Sequence, residues 1–368
     1  MTTKACNLKG VQQVFLLNQQ KATSCCRADP VPINDVSVAD LVQTWGLEAQ
    51  QLTQGQQLDG CRVCWNKENA GLESYRQLHA EPQPIQVELN LSNLCNHMCS
   101  YCSPKFSSEW QRSIQQQGAF SQVSKTAIAN LEPVPQATDL ESWLAQIQQH
   151  IASHDHDSVV LSLLGGEPLM QHSALEKTLD MMQPNIKQLV ITTNLNPPSS
   201  RFFDQLLDTW STSKLTFNIS IDAVPEFNHV PRAGFDQQRF ERNFAKLQQA
   251  GVKFKFLCVV SVLNIFDLGA FLSKYSQVEI ITNQLNNPAC LEIGTIPREQ
   301  RQQILDQLPD SVPAWIQSEL AQSNVAVDLK LKEQYNYLSQ YFSRTNTSIP
   351  SNMQFGQYWN LLQQRFNK

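Results

Sequence analysis

Apolar and polar residues alternate along several short stretches of the chain. In Val87-Glu88-Leu89-Asn90-Leu91-Ser92, an extended backbone puts Val87, Leu89 and Leu91 on one face and Glu88, Asn90 and Ser92 on the other. Phe217-Asn218-Ile219-Ser220-Ile221-Asp222 repeats the split, with Asn218, Ser220 and Asp222 polar. This period predicts strands near 85–92, 158–164, 187–194, 215–222, 252–262 and 277–283. Between them the period lengthens. Thr138-Asp139-Leu140-Glu141 is a capping box, followed at helical spacing by Leu144, Ile147 and Ile151. The stretch 237–249 runs into Ala250-Gly251, a helix stop.

Strands alternating with helices predict an α/β chain: six β/α units, a partial (β/α)6 TIM barrel. The polar strand faces would line its lumen, and the intervening helices argue against a half-exposed antiparallel sheet. Ligand sites in such folds gather at the C-terminal ends of strands. Glu88, Asn90 and Asp222, on the polar faces, are candidate substrate contacts.

Outside the barrel the pattern is shorter. Residues 11–17 read as a strand, 18–21 as a turn and 22–26 as a return strand. Val38, Leu41, Val42 and Trp45 form a short apolar helix face, and Cys61-Arg62-Val63-Cys64 opens a helix expected to run through Glu68 and Arg76. The expected organisation is a small N-terminal cysteine-rich metal-binding module over 1–80, the barrel over 81–290, and a helical C-terminal region over 291–368, where Trp359, Leu362 and Phe366 share a stripe. Residues 103–137 are too long for a simple connection. They read equally as an insertion over the barrel mouth or a peripheral helical decoration.

Charge narrows the function. The 368 residues carry a net charge of −5 with no run of Lys and Arg, so a phosphate-gripping nucleic-acid surface is not expected. No apolar run approaches the roughly 20 residues of a membrane helix, and residues 14–17 are too short for a secretory core. The expectation is a cytoplasmic protein, where cysteines serve metal or redox chemistry rather than disulfides.

The cysteines are clustered. Eight of ten lie in the first 102 residues; Cys258 and Cys290 stand apart in apolar surroundings and read as core. Cys95-Asn96-His97-Met98-Cys99-Ser100-Tyr101-Cys102 offers three thiolates in one loop with no near fourth. Soft thiolates select zinc or iron–sulfur clusters. A 4Fe–4S cluster on three thiolates keeps one iron open, which catalysis needs; His97 reads as a loop residue. Cys6, Cys25 or Cys26, Cys61 and Cys64 could close a second site, with Cys61 and Cys64 at a helix start whose amides favour thiolate charge. A zinc knuckle is the alternative there. His154-Asp155-His156-Asp157 lies away from the strand ends, where His150 and His154 more simply complement a helix C-terminus.

The Cys95/Cys99/Cys102 run, with Tyr101 before its last cysteine, resembles the signature of the radical S-adenosylmethionine (radical SAM) superfamily. Gly165-Gly166-Glu167-Pro168 resembles its "GGE" motif after the second strand. Thr192-Thr193-Asn194 resembles the end of its third strand, and Ser220-Ile221-Asp222 with Arg232 and Gly234 resembles the fourth-strand segment of its peptide-modifying branch. That motif usually continues to Gly; here Ala223 follows. The resemblance covers roughly residues 85–285. It implies a 4Fe–4S cluster on Cys95, Cys99 and Cys102 whose open iron binds S-adenosylmethionine, with Tyr101 near the adenine. It implies Gly165, Gly166 and Glu167 at the amino group, and Asn194, Ser220 and Arg232 at the ribose or carboxylate. The N-terminal cysteines resemble part of the SPASM/twitch extension, which carries an auxiliary 4Fe–4S cluster, although here they precede the barrel.

The resemblance implies reductive cleavage of S-adenosylmethionine to a 5′-deoxyadenosyl radical that takes hydrogen from a substrate. The leading expectation is a ribosomally made peptide, cross-linked, epimerised or oxidised, with a flavodoxin- or ferredoxin-type electron donor. Two other readings remain: a dehydrogenase or mutase of a small metabolite such as a sugar or nucleoside, and a non-enzymatic iron–sulfur or zinc protein.

Overall fold

The computed structural model of the chain describes residues 6–25, 27–78, 83–124, 140–155, 158–171, 175–176, 179, 182–285, 287–309, 312–322 and 328–367. Cys26, Thr138 and Asp139 of the capping box, and His156 and Asp157 lie outside the described residues. The chain is mixed α/β and divides into two compact units, one of 1–93, 134–192 and 201–216, the other of 94–133, 193–200 and 217–368.

The first unit holds β1 (Gln12–Leu16), β2 (Lys21–Thr23), β3 (Val31–Pro32), β4 (Ile85–Asn90), β6 (Val159–Leu163) and β7 (Ile186–Thr193, less its last residue). Their order is β7-β6-β4-β1-β2-β3. The pairs β1/β4, β4/β6 and β6/β7 are parallel, and β1/β2 and β2/β3 antiparallel. Period-two alternation explains the layering. Phe15, Val87, Leu89, Leu161 and Leu189 are at most 1% exposed. Phe15 lies 6.0 Å from Trp45 on the helix Val38–Thr53 and 6.4 Å from Trp143 on the helix Leu140–Ala152. Each such buried side chain contributes roughly 1.5–3 kcal/mol.

The compact units do not follow the division expected at residues 80 and 290. β1 runs parallel to β4 along its whole length, Val14 opposite Glu88, and Gln12 Nε2 donates to Glu88 Oε1 at 2.7 Å. The N-terminal segment therefore extends the parallel sheet, because Phe15 supplies the same inward face as Leu89 opposite it. The helix expected through Arg76 also ends early, at Asn69, where Gly71 takes φ +73° and the chain turns before a short helix at Tyr75–Leu78.

The second unit holds β5 (Met98–Cys99), β9 (Arg232–Ala233), β10 (Lys253–Val260) and β11 (Ile280–Gln284), and receives the end of β8 (Leu215–Ser220). β10 and β11 are parallel. The helix Gln237–Gln249 starts where Asp236 Oδ1 accepts the Arg239 amide at 2.9 Å, and it stops before Gly251 at φ +67°. The C-terminal helices Asp328–Thr345 and Phe355–Phe366 belong to this unit. Asp267 anchors the last one, accepting the amides of Gln354 and Phe355 at 3.0 and 3.3 Å. Among the described residues no helix is long and apolar enough to cross a membrane.

Candidate active site

The second unit builds the three-cysteine loop. β5 pairs antiparallel with β9, which sets Cys99 opposite Arg232. Ser100 donates its amide to Pro231 O at 2.8 Å, and the Cys102 amide folds back to Cys99 O at 3.0 Å. Side chains from the following helix, Ser108–Gln117, hold the carbonyls. Trp110, fully buried, donates Nε1–H to Cys99 O at 2.9 Å, and Ser108 Oγ donates to Cys95 O at 3.1 Å. Ser107 Oγ donates to His97 O at 2.7 Å, and Tyr337 Oη to Ser100 O at 2.6 Å. The start of the 103–137 segment is thus a brace for this loop. Gly234, at φ +97°, closes the other side: a Cβ there would lie 2.4 Å from Asn96 O.

Behind the loop is a buried ionic network. Asp222, with no exposed surface, accepts from Arg232 Nε at 2.8 Å, Tyr101 Oη at 2.7 Å and the Val259 amide at 2.9 Å. Arg232 Nη1 lies 3.6 Å from Cys99 Sγ. The turn after Asp222 needs no glycine at Ala223, because Asn228 Oδ1 accepts the amides of Asp222 and Ala223 at 2.9 and 3.3 Å. Burial, opposed by the Arg232 charge, raises the Cys99 thiol. Burial, with Cys99 nearby, pushes Cys102 up to about 12. Burial pushes His97 down to about 3, so its ring is neutral at pH 7.

Asn194 and Ser220 fall at strand ends of the same unit. Asn194 Nδ2 donates to Asn96 Oδ1 at 2.9 Å and Asn194 Oδ1 accepts the Asn196 amide at 2.8 Å, so it ties directly into the cysteine loop. Ser220 is half-buried at the end of β8. The first unit gathers the remaining residues. Gly165 and Gly166 take φ +83° and +60°, and a Cβ on Gly165 would lie 2.2 Å from the Asn90 side chain. Asn90 is 2% exposed and its Oδ1 has no hydrogen-bond partner. Glu167 is buried and accepts the Leu169 amide at 3.0 Å. Glu88 is half-buried, and burial raises its carboxyl.

The first unit also brings Cys6, Cys25, Cys61 and Cys64 around one cavity of about 20 Å³, with Lys9, Arg27 and Arg76. Cys61 ends a single 3-10 turn and Cys64 sits in the first turn of the helix Arg62–Asn69. Arg76 is buried, ion-paired to Glu68, and lies 4.2 Å from the Trp65 ring centroid. Lys9, also buried, pairs with Glu48 at 2.7 Å. Burial pushes Cys61 up to about 11 and raises Cys6.

Both donor sets suit a soft metal: three thiols in one braced loop, and four thiols around one cavity, each beside a buried cation that would offset thiolate charge. Among the described residues no three or more His, Cys, Asp and Glu side chains close tightly enough to hold a metal ion as they stand, so binding would draw the thiols together. Sequence reasoning missed Trp110, Tyr337, Lys9 and Glu48. Only the Trp110 contact, eleven residues from Cys99, had a nearby signal; Tyr337 is 237 residues from Ser100.

No curated protein sequence matches the chain. Among solved structures, native anSMEcpe with bound S-adenosylmethionine is 17% identical, covering 61% of this chain and 58% of that one at a TM-score of 0.41. SuiB of Streptococcus suis bound to S-adenosylmethionine is 15% identical, covering 72% and 60% at 0.39. SuiB bound to its precursor peptide SuiA is 13% identical, covering 75% and 52% at 0.35. The chain therefore spans less than two thirds of the length of these proteins. The profile of the Radical SAM superfamily matches residues 89–272, a span that runs from β4 through the cysteine loop to the strand ends described above, and the chain belongs to that superfamily.

Proposed function

We propose that the chain is a radical SAM enzyme of the peptide-modifying branch, with Cys95, Cys99 and Cys102 as ligands of a 4Fe–4S cluster. The observation that carries the reading is the braced loop: three thiols, held by β5–β9 and Trp110, with strand-end residues of the same unit bonded into it. A 4Fe–4S cluster held by Cys95, Cys99 and Cys102 would supply the one-electron reduction that cleaves S-adenosylmethionine to methionine and a hydrogen-abstracting 5′-deoxyadenosyl radical.

The chain's own residues do the rest. Asn194 fixes the loop through Asn96. Asp222 holds Tyr101 and Arg232 in place, a positioning role rather than a substrate contact, since it is saturated and wholly buried. The Gly165-Gly166 turn brings main chain close where no side chain fits, and Glu167 stiffens the turn after it. Asn90 and Glu88, on the polar face of β4, remain the proposed substrate contacts.

A peptide substrate is favoured by the resemblance of the N-terminal cysteines to SPASM/twitch and by the absence of a basic run in the sequence. We assign Cys6, Cys25, Cys61 and Cys64 to a second soft-metal site, since these four described cysteines line one cavity. An auxiliary 4Fe–4S cluster is the first reading. A cavity of about 20 Å³ supports zinc as the second, since it admits an ion more readily than a cluster core. A flavodoxin- or ferredoxin-type protein is the proposed electron donor.

The test is anaerobic reconstitution, a count of iron and zinc, and addition of S-adenosylmethionine with dithionite. About eight irons per chain with 5′-deoxyadenosine formed supports two clusters; about four irons and one zinc keeps the enzyme and makes the second site a staple. Zinc alone with no 5′-deoxyadenosine overturns the proposal.

A further inference from the structure

The arginine beside the cluster loop has a side chain whose donors are already spent on one partner except at one nitrogen. Arg232 presents Nε to Asp222 Oδ2 at 2.8 Å and Nη2 to Asp222 Oδ1 at 3.4 Å. That is the fork edge with which an arginine grips a carboxylate. The remaining nitrogen, Nη1, lies 3.6 Å from Cys99 Sγ. Main chain and side chain agree, since the β5–β9 ladder sets Arg232 directly opposite Cys99. The carboxylate that aims the guanidinium is itself fixed by Tyr101 Oη and the Val259 amide, and it has no exposed surface.

We propose that Arg232 acts on the cluster rather than on S-adenosylmethionine: its Nη1 donates to the Cys99 thiolate and raises the cluster's reduction potential, and Asp222 is the positioning residue that holds it there. This rests on the reading of Cys95, Cys99 and Cys102 as cluster ligands, and it assigns Arg232 differently from the family resemblance, which puts it at the ribose or carboxylate.

The physical reason is charge. Reduction adds an electron to an already anionic cluster, and hydrogen bonds to ligand sulfurs are among the factors that set where such clusters titrate. A donor within reach of Sγ stabilises the reduced form. Asp222 opposes this with its own negative charge, but it approaches through the far edge of the guanidinium, so the group nearest the sulfur is the cation.

The experiment is an EPR-monitored redox titration of the reconstituted protein, with the three-thiolate cluster identified by the change of its signal on adding S-adenosylmethionine. Binding of S-adenosylmethionine is measured in parallel by equilibrium dialysis. Arg232→Gln should lower the midpoint potential while the Kd changes by less than about tenfold. Asp222→Asn should change the potential by less than Arg232→Gln, because the loosened guanidinium lowers it while the lost carboxylate charge raises it. If Arg232→Gln fails to assemble the cluster, Arg232→Lys, which keeps the charge and loses the fork, should give an intermediate potential. An unchanged potential in the assembled variants, with Kd weakened beyond tenfold, overturns the proposal in favour of direct binding. Lower iron content or Tm with an unchanged potential overturns it in favour of a purely structural role. A wild-type protein with no S-adenosylmethionine-responsive cluster removes the cluster reading itself, an outcome visible before any variant is made.

Discussion

The two thiol sites differ in how their donors are assembled. In the second unit, Cys95, Cys99 and Cys102 come from eight consecutive residues, and distant residues only brace the loop. In the first unit, Cys6, Cys25, Cys61 and Cys64 come from three separate segments that the sheet and a helix start bring to one cavity. Each site has a buried arginine paired with a carboxylate, Arg232 with Asp222 and Arg76 with Glu68. Three donors leave a metal position open for a ligand, whereas four close it. On the proposed function, chemistry therefore belongs to the first of these sites and support to the other.

The sharpest way to break that assignment is to remove one ligand from each. Cys99→Ala should abolish 5′-deoxyadenosine formation and remove about four irons per chain, leaving the N-terminal metal bound. Cys64→Ala should do the reverse, removing the N-terminal metal while dithionite-driven cleavage of S-adenosylmethionine persists. Metal analysis and product chromatography read both. If Cys64→Ala also ends cleavage in a protein whose other cluster is intact, the division of labour is wrong.

Next in size is the buried pair of the N-terminal site. Arg76→Met leaves Glu68 without its ion-pair partner and should cost about 3–5 kcal/mol, read as a drop in Tm. A loss under about 1 kcal/mol would mean that the pair behaves as a surface ion pair. On the loop side, Gly234→Ala meets a main-chain oxygen rather than a flexible side chain. It should cost roughly 2–4 kcal/mol, with iron content falling alongside Tm. Unchanged Tm would show that the loop yields easily and is not braced as described.

The same contrast explains what was legible in the sequence. The three-cysteine loop and the six strands expected from the alternation are local patterns: close cysteine spacing and a period of two, both readable in a window of eight residues. Bringing Cys25 to one cavity with Cys61 and Cys64 depends on how β1 and β2 turn, which no local spacing encodes. β1 read correctly as a strand, but its parallel partner β4 lies about seventy residues on, and nothing in Val11–Leu17 names it. The polar face of Phe217–Asp222 pointed to a lumen. Asp222 instead turns to Arg232 and Tyr101, because a carboxylate with two hydrogen-bonding partners in reach is more stable saturated than open.

The smallest expected effect concerns pH. His150 Nε2 lies 2.8 Å from Gln13 Oε1, on β1 between Cys6 and Cys25 in the chain. Burial, assisted by neighbouring His154, pushes His150 down to about 4. A histidine whose folded pKa lies below its unfolded value of about 6.5 stays neutral in the fold while the unfolded chain takes up a proton. Its contribution is fully present above pH 6.5 and is lost as the pH falls toward 4. Because the ring is only partly buried, solvent screening reduces the effect to about 1 kcal/mol. Tm measured from pH 7 to 4 should fall, and His150→Gln should flatten part of that slope. His97 in the cysteine loop, pushed down to about 3 by burial, has the same sign and a lower end point. The slope left in His150→Gln should therefore continue below pH 4, and a slope unaltered by the substitution would mean that His150 does not contribute to the acid sensitivity.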